Sequence, residues 1–398
     1  MNKLKKAVWL MVCCFIAAWL GSAPKAGLSA AEGKAQDFTF IQISDTHWGF
    51  ADAKINPDYA GILTKTIKTI NEMKSQPDFI VFTGDLTHTT DDPAERRKRL
   101  SEFREIVGEL KVKDVRFIPG EHDASLDKGQ AFTEILGRTH YVFHHKGVAF
   151  IALDNVSLPG SILGDEQIEW LKTELKKIGP NSKIVILTHR PLFNLKEEWD
   201  WWTRDGDKAM ELLKPYKNVV AFYGHIHQLN DHSEGGILFH AARGLMYPLP
   251  APGSVPKKAP IPWDPAAPYN GLGYRVVDVN AAKGVYHIKE ILLFSEVQTS
   301  RDSTVKTDPV VTITAKKFEY VPSEITIKKG IPTILEFTSA DVMHGFNCPD
   351  LHARTDIPPN MTTRLTVTPQ KSGTFHFHCD VFCGAGHDGM TGKIIVKE

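Results

Sequence analysis

The sequence predicts two domains of different class: an α/β layered domain over residues 37–296 and an all-β sandwich over residues 309–398. Three observations carry this. At 398 residues the chain exceeds the ordinary length of one domain, about 100–200 residues. Short apolar runs alternate with helix-period stretches as far as Glu296, and only strand patterns follow the polar linker at 297–308. The metal-ligand side chains also fall into two sets, carboxylate and imidazole in the first part and sulfur-rich in the second.

The chain opens on Lys3, Lys5 and Lys6, an apolar run from Ala7 to Leu20, and small residues at Ser29-Ala30-Ala31. That order predicts a signal peptide over residues 1–31 and an exported protein, periplasmic or extracellular. The run is short for a membrane span of about 20 residues. An uncleaved N-terminal anchor is the alternative, and the sole membrane association the sequence suggests. Cleavage removes four lysines and no acid, leaving a mildly acidic chain with Cys348, Cys379 and Cys383. An odd cysteine count argues against a disulfide framework and for metal. The full chain has zero formal net charge, so it carries no nucleic-acid footprint.

In the first domain, 38–44, 79–83, 115–118, 149–153, 183–188 and 219–223 are apolar runs of buried-strand type. Helices lie between them. Ile62, Ile67, Ile70 and Met73 share a face, as do Leu100, Phe103, Val107 and Leu110. Ile168, Leu171, Leu175 and Ile178 form a third face, behind Gly164-Asp165. Residues 274–279 and 285–293 read as a closing hairpin. The proline-dense stretch from Tyr247 to Pro268 forms no regular element; it either walls the site or is a solvated loop. In the second domain, 310–315, 324–328, 333–338, 364–368, 373–378 and 393–396 read as strands.

Five strand ends of the first domain deliver metal-type residues: Asp45 and His47, Asp85, Glu121-His122-Asp123, His189, then His225 and His227. In open α/β sheets ligands bind beyond the carboxyl ends of strands. Gly84, Gly120 and Gly224 let the backbone turn tightly beside them. Arg190 and His88 are placed to touch a phosphate or are solvated loop residues. Trp199, Trp201 and Trp202 read as packing, with stacking on a substrate group as the alternative.

The order Asp-x-His, Gly-Asp, Gly-x-His-Asp, His, Gly-His-x-His resembles the calcineurin-like binuclear metallophosphoesterases over residues 37–296. The resemblance implies a four-layer α/β/β/α sandwich and a phosphoric ester hydrolase, acting on diesters or monoesters through a metal-bridging hydroxide. It implies that Asp45, His47 and His227 hold one metal, that Asp85 bridges, and that His189 and His225 hold the second. The ions would be two divalent or trivalent metals: Mn, Fe or Zn. His122, oriented by Asp123, would stabilise the transition state or protonate the leaving oxygen. The family usually carries asparagine where this chain has Glu121, which either ligates the second metal or points away.

In the second domain Cys379, Cys383, His387 and Met390 lie on one loop, with His344 upstream. Cysteine, histidine and methionine on a loop plus a distant histidine is the donor set of a cupredoxin. Two cysteines four apart are similar to the binuclear CuA domain of cytochrome c oxidase subunit II and nitrous oxide reductase, over about 310–398. The resemblance implies a Greek-key β-sandwich holding two copper ions through His344, Cys379, Cys383, His387, Met390 and the Val381 carbonyl. It also implies a redox protein as electron donor or acceptor. The oxidase subunit usually has glutamate at the Val381 position, serving a magnesium site that valine cannot. A Cys379–Cys383 disulfide or a mononuclear copper site are the alternatives.

The expected whole is an exported phosphoric ester hydrolase carrying a copper redox module. The alternative is an electron-transfer or copper-binding protein whose phosphoesterase domain is non-catalytic.

Overall fold

The computed structural model describes residues 35–293 and 309–398, Gly253, His352 and Asn360 excepted. The expected signal peptide and linker lie outside the described residues. No helix among the described residues is long and apolar enough to cross a membrane.

The first domain is built on two facing sheets. The first contains β1 (Phe38–Ile43), β2 (Phe79–Thr83), β3 (Val115–Ile118), β10 (Gly273–Asn280) and β11 (Val285–Leu292), in spatial order β11-β10-β1-β2-β3. The second contains β4 (Tyr141–His145), β5 (Val148–Ala152), β6 (Lys183–Leu187), β7 (Asn218–Tyr223), β8 (Asn230–Glu234) and β9 (Ile237–Ala241), ordered β4-β5-β6-β7-β9-β8. β1 runs parallel to β2 and antiparallel to β10; β5, β6, β7 and β9 are parallel neighbours.

Helices α1 (Ile62–Asn71), α2 (Pro93–Gly108), α3 (Glu121–Ala124) and α4 (Gln130–Ile135) follow strands of the first sheet, and α5 (Asp165–Ile178) and α6 (Gly206–Leu213) those of the second. α2 starts cleanly because the Asp92 side chain accepts from the Ala94 and Glu95 amides, with Pro93 in the first turn.

The strands are apolar on both faces because both faces are covered. On β1, Ile41 and Ile43 pack with α1 and α2, while Phe38 and Phe40 face the second sheet. There Phe40 stacks on Phe79 at 5.2 Å and meets Phe150 and Phe222 edge-on. α5 and α6 cover the far face of the second sheet through Leu171, Leu175, Ala209 and Leu213. The layers run α/β/β/α, as expected.

The C-terminal part supplies β12 (Val310–Lys316), β13 (Glu319–Val321), β14 (Glu324–Lys328), β15 (Thr333–Ser339), β16 (His344–Cys348), β17 (Ala353–Ile357), β18 (Met361–Val367), β19 (Gly373–His378) and β20 (Thr391–Lys397). Sheets β13-β12-β15-β18 and β14-β20-β19-β16-β17 enclose a separate core around Phe337, Phe346, Phe377 and Ile394. Here the strands alternate buried and exposed, as in β14, because each sheet has one wet face. The two parts touch. β18 pairs in parallel with β11 at Tyr286–Met361 and His287–Thr362, which extends the first sheet, and β17 contacts β8.

Candidate metal centres

The carboxyl ends of β1, β2 and β3 meet those of β6 and β7 at one rim. Asp45 and His47 follow β1, Asp85 follows β2, and Glu121 follows β3; His189 follows β6, and His225 and His227 follow β7. Five of these residues adopt left-handed backbone: Asp45 (φ +56°), His47 (+40°), Asp85 (+48°), His225 (+67°) and His227 (+53°). Each such non-glycine residue costs on the order of 1–2 kcal/mol. The chain sustains this five times in one place, and the turns aim the side chains inward. At Gly84 (φ +94°) a Cβ would collide with the His189 ring, and at Gly120 with Asp85. Both close approaches require glycine.

The donors form two groups that share Asp85. Asp45, His47, Asp85 and His227 each offer an atom within 4.8 Å of the others, and so do Asp85, Glu121, His189 and His225. Asp45 Oδ1 lies 3.3 Å from His227 Nε2, and Asp85 Oδ2 lies 3.7 Å from His47 Nε2 and 3.4 Å from His189 Nε2. Glu121 reaches the second group, with its oxygens 2.9 Å from His189 Nε2 and 2.8 Å from His225 Nδ1. Of the two placements open for Glu121, the structure adopts the inward one. Close as they are, Glu121 Oε2, His189 Nε2 and His225 Nδ1 are buried and form no hydrogen bond of proper geometry, with one another or with any other group. Buried polar atoms without partners are costly. Their convergence on one point is what a cation site requires.

The tautomers agree. His189 Nδ1 meets the Thr83 carbonyl at 2.7 Å and His227 Nδ1 meets the Tyr247 carbonyl at 2.6 Å. A carbonyl only accepts, so each Nδ1 carries the proton and each Nε2 lone pair faces the rim. In His225 the ring is reversed: Nε2 meets the Asp200 carbonyl at 3.3 Å and Nδ1 faces inward. Burial holds His47 well below the ordinary imidazole range and His225 down at about 4, so both stand ready as neutral donors. Burial also lowers His189 and His227, but facing carboxylates more than reverse it: Asp85 and Glu121 for His189, Asp45 for His227. Those carboxylates hold positive charge in place, and a metal ion supplies it as a proton does.

His122 stands beside this cluster. Its Nδ1 accepts from the Thr89 amide at 3.2 Å and lies 2.6 Å from the Thr89 hydroxyl. An amide only donates, so His122 Nε2 carries the proton, 3.8 Å from Asp85 Oδ2. The expected contact from Asp123 to this ring is not made. Asp123 instead accepts from the amides of Leu86, Thr87 and Gly120 and from the Thr87 hydroxyl. It ties the loop after β2 to α3; Thr89 orients the ring.

Arg190 is also otherwise engaged. Its guanidinium bonds Ser161 Oγ at 2.5 Å and the Asp200 carboxylate and carbonyl. Those bonds fix Asp200, which in turn positions His225, and engage both terminal nitrogens, while the buried Nε has no partner. His88 Nδ1 lies 3.3 Å from His47 Nδ1 and its ring stacks on His122 at 4.9 Å. Trp199 and Trp201 are core residues, as expected, meeting edge-on at 4.9 Å. Tyr247 opens the proline-dense stretch and stacks on His227 at 4.5 Å and His47 at 4.9 Å. The stretch thus lies against the site at its first residue, while most of 251–259 is exposed.

The second cluster lies where the loop after β19 meets β16. Cys379 and Cys383 sulfurs are 3.9 Å apart and both cysteines are free, well beyond the roughly 2 Å of a disulfide. Cys383 Sγ is 3.7 Å from His387 Nδ1 and 3.9 Å from Met390 Sδ; Cys379 Sγ is 3.1 Å from the Val381 carbonyl. His344 Nε2 bonds Asp341 Oδ1 at 2.7 Å, while its buried Nδ1 has no partner, and the residue offers a ring nitrogen within 4.8 Å of both sulfurs. A carboxylate behind a histidine is the usual support of a metal ligand. Burial and the adjacent Cys379 push the Cys383 thiol up to about 11. Without a cation the Cys383 thiol keeps its proton. Cys348 is buried in the core and His376 and His378 face solvent on β19, as expected.

The calcineurin-like phosphoesterase family matches residues 38–229, and the cupredoxin-like domain family matches residues 290–396. A probable glycerophosphodiester phosphodiesterase of Arcobacter nitrofigilis is 30% identical over 208 residues, covering 48% of this chain and 72% of that protein. A cAMP/cGMP dual specificity phosphodiesterase of Mycobacterium tuberculosis is 30% identical over 229 residues, 55% of this chain and 71% of the other. Cytochrome c oxidase subunit 2 of Thermus thermophilus is 31% identical over 99 residues, 24% of this chain and 73% of that one.

Proposed function

The chain belongs to the calcineurin-like phosphoesterases and carries a cupredoxin-like domain after the enzyme part, and we propose that it is an exported phosphodiesterase with a binuclear copper module. The observation that carries the enzymatic half is the convergence of seven donor side chains on two groups sharing Asp85, with three buried donor atoms unpartnered. Asp45, His47, Asp85 and His227 would hold one ion, and Asp85, Glu121, His189 and His225 the other. Oxygen and imidazole donors suit Mn, Fe or Zn. When bound, such a pair polarises phosphoryl oxygens and lowers the pKa of a water for in-line attack.

The remaining chemistry belongs to the chain. The His122 Nε2 proton, fixed by Thr89, points into the site and is placed to go to a phosphoryl oxygen or the leaving group. Tyr247 closes one side against water. Glu121 adds a third carboxylate to Asp45 and Asp85, favouring more highly charged ions. Diesters are the first substrates to test, because the enzymatic relatives above are phosphodiesterases.

In the second domain Cys379, Cys383, His344, His387, Met390 and the Val381 carbonyl would hold two copper ions, which would supply one-electron transfer to a redox protein. Phe382 is solvent-exposed on the same loop. Export rests on the charged, apolar and small-residue order of residues 3–31.

The test is hydrolysis of bis(p-nitrophenyl) phosphate by the full chain; no turnover with Mn²⁺, Fe²⁺ or Zn²⁺ would end the enzymatic reading. His122→Ala is expected to lower kcat by about 10²–10⁴-fold with the metal content unchanged. Equal loss of metal would make His122 a structural residue instead.

A further inference from the structure

Two cations of the described chain act on Glu121 at the second donor group, Arg190 and Lys258, and the terminal nitrogens of Arg190 are engaged by Asp200 and Ser161. Lys258 is different. It lies on the proline-dense segment, half-buried, with its ammonium 5.8 Å from the centre of the buried Trp201 ring. Among the described residues it makes no hydrogen bond and no ion pair.

The segment's path explains how it arrives there. Tyr247 is anchored on His47 and His227, at the first group of donors. Gln228 Nε2 then holds the Pro250 carbonyl at 2.9 Å, and the Ile261 amide returns to the Pro248 carbonyl at 3.0 Å. Lys258 lies within this loop and sits over Trp201, next in sequence to the Asp200 whose carbonyl meets His225 at the second group. The segment thus touches the first group through Tyr247 and reaches, at Lys258, the neighbour of the residue that orients His225. The charges facing the ammonium are Glu121, Arg190, Asp200 and Asp85, and burial lowers its pKa.

The ammonium of this half-buried side chain keeps contact with solvent and has its donors free, and in this site the partner open to it is an anion. We propose that Lys258 is a substrate-binding residue, taking an anionic oxygen of the phosphoryl group. Its compact charge and three donors suit any phosphoryl oxygen. The proline-rich backbone holds the loop in place without regular hydrogen bonds. This inference rests on the phosphoesterase reading of the site.

The test uses the full chain loaded with Mn²⁺ and inorganic phosphate as the probe, titrated by calorimetry. Lys258→Met should weaken phosphate binding by about 10–100-fold, the usual weight of a charge-assisted contact, with metal content unchanged. Lys258→Arg, which keeps the charge, should stay within about threefold of wild type. The proposal is overturned by wild-type affinity in Lys258→Met, by equal losses in both variants, or by a wild type that binds no phosphate. Turnover of bis(p-nitrophenyl) phosphate by the wild type separates the two claims. An active enzyme indifferent to Lys258→Met refutes only the lysine; an inactive one whose phosphate binding needs Lys258 refutes only the enzymatic reading.

Discussion

Asp85→Asn should abolish phosphodiester hydrolysis and empty most of the first metal site, while copper binding in the same chain stays intact. Asp85 is the one residue common to both donor groups. Its Oδ2 lies between His47 and His189, and its Oδ1 accepts from the His122 amide at 2.9 Å. Asparagine keeps the volume but removes the charge and replaces one oxygen with an amide NH2, which only donates and cannot ligate a cation. Groups that merely orient a metal ligand cost about 10–100-fold in metal affinity or activity. A ligand shared by two ions should cost more than about 100-fold in kcat/KM. Metal analysis and hydrolysis on one preparation check this. Full activity in Asp85→Asn would mean that the shared position is not occupied as the geometry implies.

Cys383→Ser is the counterpart at the other end. Cys383 Sγ is the hub of its cluster, within 4 Å of the Cys379, His387 and Met390 donors. A serine hydroxyl is neutral and hard, so it neither bridges nor retains copper as a thiolate does. Copper should fall from two ions per chain to at most one, and the mixed-valence electron paramagnetic resonance signal should vanish. Hydrolysis should persist, because the two clusters share no ligand. Cys348→Ser is the control: that sulfur is buried in the core, so its replacement should leave copper in place. Loss of copper in both variants would point to unfolding rather than ligation.

Much of this arrangement is readable in the sequence because apolar runs and strand-end ligands are local signals. β2 (Phe-Ile-Val-Phe-Thr) and β6 (Lys-Ile-Val-Ile-Leu) can be little else than buried strands, and each delivers its ligand just beyond its end. What escapes is what tertiary context decides. β8 (Asn-Asp-His-Ser-Glu) is an edge strand without an apolar residue, formed because β9 lies beside it. α3 is one turn long, and β16 and β17 lack regular alternation.

The supports of the ligands escape for another reason. The carbonyls of Thr83, Asp200 and Tyr247 orient three histidines, and a carbonyl is present at every residue, so no side-chain pattern announces it. Asp123 does not pair with His122 because adjacency in sequence is not contact: the one-turn α3 sends Asp123 back to the β2 loop. The signal for Asp341 was available, a carboxylate three residues before His344. Lys258 was not readable, since only the path of the proline-dense segment brings it to the rim.

The most direct measurement is metal content per chain after reconstitution of the full-length protein with Mn²⁺ and copper. Two manganese and two copper ions are expected, with Asp85→Asn losing manganese alone and Cys383→Ser losing copper alone. A wild-type chain that retains only one kind of metal, or variants that lose both together, would contradict two independent centres on one chain.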